Sequence, residues 1–151
     1  MRVFRLFPGR FLNTAFSGIG GLYAARRWNH RGTELVYTAS SRALAALEFF
    51  VHLDPRDAPD DLLMAEAEVP DGLTEQLNMN LLPDDWRELN SMACRDLGST
   101  WVKERRSAAL GVPSAVVDGD WNVLLNPGQA DFTKLELFTP RPFRYDERMF
   151  R

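Results

Sequence analysis

The chain has 151 residues, of which 45% are apolar and 26% charged, a composition typical of a globular protein rather than a disordered one. This length fits one domain, and we place it at residues 1–151. The formal net charge of −3 excludes the basic balance of a general nucleic-acid binder, so no direct nucleic-acid binding is expected.

The first third of the chain predicts two strands, a glycine-rich loop and a helix. Residues 2–7 alternate between polar and apolar side chains, as a half-buried strand does. Residues 9–33 contain five glycines and the arginine-rich segment 26–31, which predicts a long functional loop. Residues 34–39 are β-branched and aromatic and predict a second strand. Ser40 or Ser41 then caps a helix that runs to about Leu53.

The rest of the chain predicts short strands around one longer helix. Strands are predicted at 62–69, 73–77, 112–117, 123–125 and 134–138, a first helical turn at 83–86, and a helix over 91–110 that Gly111 ends. This order favours an α+β fold with a largely antiparallel or mixed sheet. A dinucleotide-binding Gly-x-Gly-x-x-Gly motif and a phosphate-loop Gly-Lys-Ser/Thr motif are both absent.

Glu48 is the most informative residue of the sequence. Its helical neighbours three or four positions away include Leu44, Ala45 and Val51, so it shares a face with mostly apolar residues. A carboxylate on such a face is costly to bury unless it is paired or used in chemistry. The alternative at this point is a solvated carboxylate on a mostly apolar helix.

Three further side chains are candidates on local grounds. Tyr37 is central in its strand, although a core tyrosine with a satisfied hydroxyl is the commoner case. Arg27 has the planar donors that suit a phosphate, but a solvated arginine or one stacked on Trp28 fits equally. Ser114 has no Gly-x-Ser-x-Gly context, which argues against a serine hydrolase and leaves a hydrogen bond to a ligand as its candidate role.

Cysteine, histidine and hydropathy patterns narrow the class further. Cys94 is alone, so there is no internal disulfide, and a reducing compartment is expected. The two histidines, His30 and His52, have no metal-binding spacing, so no metal is expected. No secretory signal and no apolar run of ~18 residues is present, which predicts a cytoplasmic protein with no membrane contact.

Taken together, these segments resemble the RES domain, the toxin family of RES–Xre toxin–antitoxin modules. The resemblance covers nearly the whole chain and rests on the order of its blocks. They are Arg27-Trp28-Asn29 with Gly32 and 36–39; 43–48 with Val51-His52; 112–117 with Asn122 and 125–127; and Pro142-Phe143 with Asp146 and Arg148. Two positions depart from the family pattern: Ala25-Arg26 replaces two glycines, and Gln129 replaces a histidine that often follows Asn-Pro.

The resemblance implies a fold similar to that of ADP-ribosyltransferases, a split mixed sheet whose cleft binds NAD⁺. It implies cleavage of NAD⁺ at the nicotinamide–ribose bond, with NAD⁺ as substrate and no other cofactor. It also implies an Xre-type helix-turn-helix antitoxin that covers the active site, and it is compatible with a homodimer inside that complex. The acceptor of the ribosyl group stays open among water, phosphate and a protein side chain.

On this resemblance the catalytic residues are Glu48, Arg27 and Tyr37. Glu48 would stabilise the positive charge on the ribose, Arg27 would hold a phosphate, and Tyr37 would pack against nicotinamide or its ribose. Ser114 would bind substrate, with Asn126 as a weaker candidate.

Two other classes of function remain open on the sequence. A non-catalytic NAD⁺- or protein-binding module would hold NAD⁺ and leave it intact. A nucleic-acid toxin would show nuclease activity that depends on Arg27 and not on Glu48.

Overall fold

A computed structural model describes residues 1–57 and 59–151. The strands are β1 (Arg2–Pro8), β2 (Val36–Ala39), β3 (Leu62–Glu68), β4 (Thr74–Gln76), β5 (Ala109–Pro113), β6 (Trp121–Leu125), β7 (Glu136–Leu137) and β8 (Arg141–Pro142). The α-helices are α1 (Gly20–Tyr23), α2 (Arg42–Phe50) and α3 (Met92–Glu104).

These strands form one mixed sheet. Its order is β4-β5-β6-β2-β1-β3-β7, with β8 also paired to β3. Strands β4 and β5 run parallel, and the other pairs are antiparallel. The predicted α+β class with a mixed sheet is therefore confirmed. None of the helices in the described part of the chain is long and apolar enough to cross a membrane.

The two faces of the sheet are covered by different segments. Paired residues of antiparallel strands point to the same face, so Phe4 with Ala39 and Tyr37 with Leu124 lie on one face. At one end of this face α2 packs through Leu44, and at the other end α3 and the loop before β2 pack through Trp101 and Trp28. Segments 9–17 and 126–135 cover the opposite face.

Strands β1 and β2 are joined far less extensively than β1 and β3. Within the described residues, β1 and β2 share one register pair, Phe4 with Ala39, whereas β1 and β3 share seven. The end of β2 that contains Tyr37 therefore lacks backbone partners on β1. This opening adjoins the face on which the candidate residues lie.

Several predicted boundaries are wrong, and each has a local cause. The helix predicted over 91–110 ends at Glu104, because Arg105 adopts a left-handed conformation with φ of 53°. The next residues form β5, which begins at Ala109 and ends at Pro113 instead of spanning 112–117. The helical turn predicted at 83–86 is absent, since residues 84–87 form turns, and the strand predicted at 134–138 shortens to Glu136–Leu137.

The loop predicted over 9–33 is more ordered than expected. It contains a 3-10 helix at Gly9–Thr14 and the single turn of α1. Gly21 packs so closely on the backbone that an added Cβ would lie 1.9 Å from the Thr33 carbonyl oxygen. The strands predicted at 2–7, 62–69 and 73–77 are confirmed within a residue or two at each end.

Candidate active site

Glu48 is held by two polar partners, one just after β5 and one on β6. The Ser41 side chain caps the start of α2, accepting a hydrogen bond from the Leu44 N–H at 3.0 Å. One turn after buried Leu44, half-buried Glu48 points the same way. Its Oε1 accepts hydrogen bonds from Ser114 Oγ at 2.7 Å and from Asn122 Nδ2 at 2.6 Å. Glu48 is thus a paired carboxylate and not a freely solvated one.

Ser114 uses its whole hydrogen-bonding capacity inside the protein. Its hydroxyl donates to Glu48 and accepts from the N–H groups of Val116 at 3.1 Å and Val117 at 3.0 Å. The residue is 1% exposed. This geometry favours a role in holding Glu48 over the substrate contact that the sequence predicts for Ser114.

Tyr37 organises the loop that precedes its strand. Its hydroxyl donates to Asn29 Oδ1 at 2.7 Å and accepts from the Trp28 N–H at 3.0 Å. Burial raises the pKa of Tyr37, an effect that outweighs the opposing influence of the Trp28 N–H and of nearby arginines. The phenol therefore stays protonated, and the half-buried ring is the part that remains for a ligand.

Arg27 anchors the segment 83–90. Its Nη1 donates to the carbonyl oxygens of Trp86 at 2.8 Å and Glu88 at 3.1 Å. Within the described residues its Nε and Nη2 have no protein partner. A guanidinium has five N–H donors, so Arg27 can hold this segment and still present a fork of donors to an anion.

Asn126 lies apart from these residues. It follows β6 at the end opposite Asn122, and it is 1% exposed. Its Nδ2 donates to the Val102 carbonyl oxygen at 3.1 Å, and its Oδ1 accepts from the Gly128 N–H at 3.0 Å. The structure does not bring Asn126 together with Glu48, and these contacts favour a structural role in joining α3 to the turn after β6.

Sequence reasoning missed Arg5, which lies at the opening between β1 and β2. Its Nη1 donates to the Tyr37 carbonyl oxygen at 3.1 Å, while its Nε is buried without a hydrogen-bond partner. Burial lowers the pKa of Arg5 to about 10, and the positive charge of Arg26 adds to this effect. A signal was available, because Arg5 shares its strand face with apolar Val3 and Phe7.

Four arginines near Tyr37 lack carboxylate partners. None of the ion pairs that the described residues form involves Arg5, Arg26, Arg27 or Arg95. Arg26, which stands where the family pattern has glycine, thus adds a cation here. We call this group the arginine cluster. Four uncompensated guanidinium groups around one opening create a positive potential that suits an anionic ligand.

Gln129, the second departure from the family pattern, has a local structural role. Its side chain accepts a hydrogen bond from the Asp131 N–H at 2.6 Å and caps the 3-10 helix Ala130–Lys134. Among the residues described, no three His, Cys, Asp or Glu side chains gather into a group that could hold a metal ion.

The fold is similar to that of a solved toxin–antitoxin complex. The crystal structure of the MbcT-MbcA toxin-antitoxin complex of M. tuberculosis matches 99% of this chain and 86% of that chain, with a TM-score of 0.71 and 13% sequence identity. At this identity the match supports the fold.

The sequence comparisons identify the family. A toxin of Sphingobium sp. (strain YBL2) named "Prs ADP-ribosylating toxin" is 38% identical over 139 residues, 89% of this chain and 86% of its own length. Proteins named "Toxin Res" from Photorhabdus laumondii and Yersinia enterocolitica are 34% and 32% identical, over 89% and 99% of this chain and 86% and 99% of their own lengths. The family model of the RES domain matches residues 2–146, and the chain therefore belongs to the RES domain family.

Proposed function

We propose that this protein is the toxin of a toxin–antitoxin pair and that it cleaves NAD⁺ at the bond between nicotinamide and ribose. The observation that carries the proposal is an oriented carboxylate, Glu48, on the same face of the sheet as the Tyr37 ring, around which Arg26, Arg27 and Arg95 lie, with Arg5 at the opening between β1 and β2. NAD⁺ needs both features, because it carries a diphosphate and a ribose that becomes cationic during cleavage. The family and the names of the relatives support the same conclusion.

The spacing of the two features suits one extended ligand. Tyr37 pairs with Leu124, and Asn122 pairs with Ala39, so Tyr37 and Asn122 are diagonal neighbours on one face. Such neighbours lie roughly 7–8 Å apart in a sheet. A dinucleotide with its diphosphate near Arg27 and Arg5 can therefore place a ribose beside Glu48.

Cleavage of the nicotinamide–ribose bond depends more on electrostatic stabilisation than on proton transfer. Nicotinamide leaves with the electron pair of the bond to ribose C1, and C1 becomes an oxocarbenium-like cation. Glu48 stabilises that cation or holds the ribose hydroxyls beside it. Water then attacks C1 and loses a proton, which yields ADP-ribose, nicotinamide and one proton; phosphate as acceptor yields ADP-ribose 1″-phosphate. No metal and no second cofactor is needed for this step.

The remaining residues bind and orient. Arg27 and Arg5 hold the diphosphate, and the Tyr37 ring packs against nicotinamide or its ribose, which restricts the reacting bond. The direct substrate contacts predicted for Ser114 and Asn126 have less support, because the Ser114 hydroxyl is fully used by protein partners and Asn126 is buried away from Glu48 against Val102 and Gly128.

The test is the release of nicotinamide from NAD⁺ by the purified protein, with and without inorganic phosphate. We expect NAD⁺ to disappear as nicotinamide appears in equal amount, and a rate that depends on phosphate would identify phosphate as the acceptor. Intact NAD⁺ under both conditions, together with no transfer of label from radioactive NAD⁺ to any protein of a cell lysate, would contradict the proposal and favour a binding module.

Transfer of ADP-ribose to a protein is the second candidate. The specific observation behind it is the name of the Sphingobium relative, which is 38% identical to this chain. The same cation at C1 forms in both reactions, so Glu48 and the arginine cluster would serve either one. Label on a discrete lysate protein without comparable free ADP-ribose would favour transfer.

We also propose an antitoxin partner of the Xre helix-turn-helix type. The structural neighbour was solved as a toxin–antitoxin complex, and several relatives are named as toxins. Binding over the active site would block NAD⁺ by occupying the arginine cluster. A homodimer within that complex, a cytoplasmic location and the absence of direct nucleic-acid or membrane contact remain part of the same proposal.

Replacement of Arg5 separates ligand binding from folding. The Arg5→Met variant should raise the KM for NAD⁺ at least ~10-fold, because a charge-assisted hydrogen bond contributes about 1.5–3 kcal/mol and each ~1.4 kcal/mol is tenfold. Its Tm should be unchanged or higher, since a buried charge with an unpartnered Nε is costly to fold. Steady-state kinetics and thermal unfolding measure both effects.

The matched control is Arg10→Met, which changes an exposed arginine. It should leave the KM within about twofold of the wild-type value, since exposed substitutions away from a site have small effects. An Arg5→Met protein with the wild-type KM would remove Arg5 from the diphosphate site.

A further inference from the structure

Glu48 is fixed through one of its two oxygens. Both hydrogen bonds, from Ser114 and from Asn122, end on Oε1 at 2.7 and 2.6 Å. Within the described residues Oε2 accepts no hydrogen bond. Two donors from different parts of the sheet on one oxygen set the plane of the carboxylate and leave the other oxygen for a ligand.

The two donors are themselves held rigidly. The Ser114 oxygen receives two backbone N–H groups, so its hydrogen points at Glu48. Asn122 extends from β6, whose backbone is paired on both sides, with Ala39 on β2 and Val112 on β5. A side chain on a strand between two neighbours has little freedom to follow a moving carboxylate.

Asn122 is a poor choice for packing alone. Its Oδ1 is buried and has no hydrogen-bond partner, whereas Val123, Leu124 and Leu125 after it are buried apolar residues. A buried amide oxygen without a partner lowers stability, so an apolar residue would serve the core better. The orientation of the amide is fixed by chemistry, because a flipped side chain would place Oδ1 against the carboxylate.

We propose that Asn122 is a positioning residue that acts through Glu48. With Ser114 it holds Oε1 so that Oε2 faces the ribose on which positive charge develops. This inference rests on the proposed cleavage of NAD⁺, since it assigns Asn122 a role in that reaction. It makes Asn122 matter for the rate of the chemical step and not for substrate affinity.

The first experiment compares kcat and KM of Asn122→Ala with the wild type. We expect kcat to fall roughly 10- to 100-fold, the scale of a misplaced reacting group. KM should stay within about threefold. Tm should change little, because losing the hydrogen bond to Glu48 lowers stability while removing the unpartnered Oδ1 raises it. Asn80→Ala, which changes an exposed asparagine, is the matched control.

A double variant tests whether Asn122 works through Glu48. In a Glu48→Gln background, Asn122→Ala should cause less than about a twofold further loss, because residues that act as one unit are not additive. The Asn122→Asp variant adds a rescue: its ionised carboxylate repels Glu48, while its protonated form can donate as the amide does. Its activity relative to the wild type should therefore improve as the pH falls toward about 5.

The remaining outcomes distinguish a failure of this inference from a failure of the proposed function. Three results would overturn this inference while leaving the proposed function intact, provided that the wild type is active. They are a full kcat in folded Asn122→Ala protein, a change confined to KM, and a fully additive loss in the double variant. A wild type that releases no nicotinamide and labels no protein would overturn the proposed function, and this inference with it.

Discussion

The Glu48→Gln variant should release nicotinamide from NAD⁺ at least ~100-fold more slowly than the wild type, the loss typical of removing one preorganised electrostatic contact. Glutamine keeps the shape and one carbonyl oxygen, which can still accept the hydrogen bonds from Ser114 and Asn122. The change therefore removes the charge while keeping the packing. Nicotinamide release followed by chromatography, with circular dichroism and Tm as checks on folding, measures the effect.

The control for this variant is Glu136→Gln, which neutralises an exposed glutamate on β7. Its turnover should be that of the wild type within about twofold. If folded Glu48→Gln protein keeps wild-type turnover, the carboxylate has no part in the reaction, and both the mechanism and the role of Asn122 fail.

One local rule drew attention to Glu48 in the sequence, although it left a solvated carboxylate as the alternative. A carboxylate on an apolar helix face needs a partner or a use, and the structure supplies Ser114 and Asn122 as partners. The same rule applied to strands would have found Arg5, since a period of two places it between Val3 and Phe7. Its Nε is buried without a partner, as that pattern would suggest.

The end of α3 could not be predicted by the same means. Residues 108–112 are completely buried, and a short apolar run fits a buried helix as well as a buried strand. The break occurs at Arg105, a residue with no sequence signal for a left-handed conformation. The Ser107 hydroxyl then accepts a hydrogen bond from Trp101 Nε1 and donates one to the Ala109 carbonyl oxygen. These contacts exist only once the strand has formed.

Local sequence patterns also could not predict which residues meet when they are far apart in the chain. Asn122 is separated from Glu48 by 74 residues, and the register of β6 against β2 decides that they meet. The same register places Asn126 beyond the other end of β6, away from Glu48. There its hydrogen bonds hold α3 and the turn after β6 together. Both asparagines belong to the segments that resemble the family. In the structure, Asn122 donates to Glu48 and Asn126 donates to the Val102 carbonyl oxygen.

Gly98→Ala should lower the stability of the protein markedly. An added Cβ at Gly98 would lie 1.9 Å from the Trp28 carbonyl oxygen and 2.8 Å from the Trp28 carbonyl carbon. Alanine favours a helix by up to about 1 kcal/mol over glycine, but overpacking against backbone costs about 1–3 kcal/mol or more. We expect Tm to fall by roughly 5 °C or more, since 1 kcal/mol corresponds to about 2–4 °C at this size.

The matched control is Gly20→Ala in α1, where an added Cβ meets nothing within 4 Å. Its Tm should be equal or higher, because alanine lowers the entropy of the unfolded chain. Equal Tm values for the Gly98→Ala and Gly20→Ala proteins would contradict the close packing of the Trp28 segment on α3.

Gly98→Ala should also separate the contribution of the Arg27–Tyr37 region to substrate binding from the contribution of Glu48 to the chemical step. Trp28 follows Arg27 and donates its N–H to Tyr37, so displacing Trp28 moves the diphosphate end of the site. Glu48 belongs to α2, Ser114 follows β5 and Asn122 belongs to β6, whereas the three atoms nearest to an added Cβ at Gly98 all belong to Trp28. Folded Gly98→Ala protein at low temperature should therefore show a KM for NAD⁺ raised about tenfold with a smaller change in kcat, whereas Glu48→Gln changes kcat. A loss in kcat alone would mean that the Arg27–Tyr37 region contributes to the chemical step and not to binding.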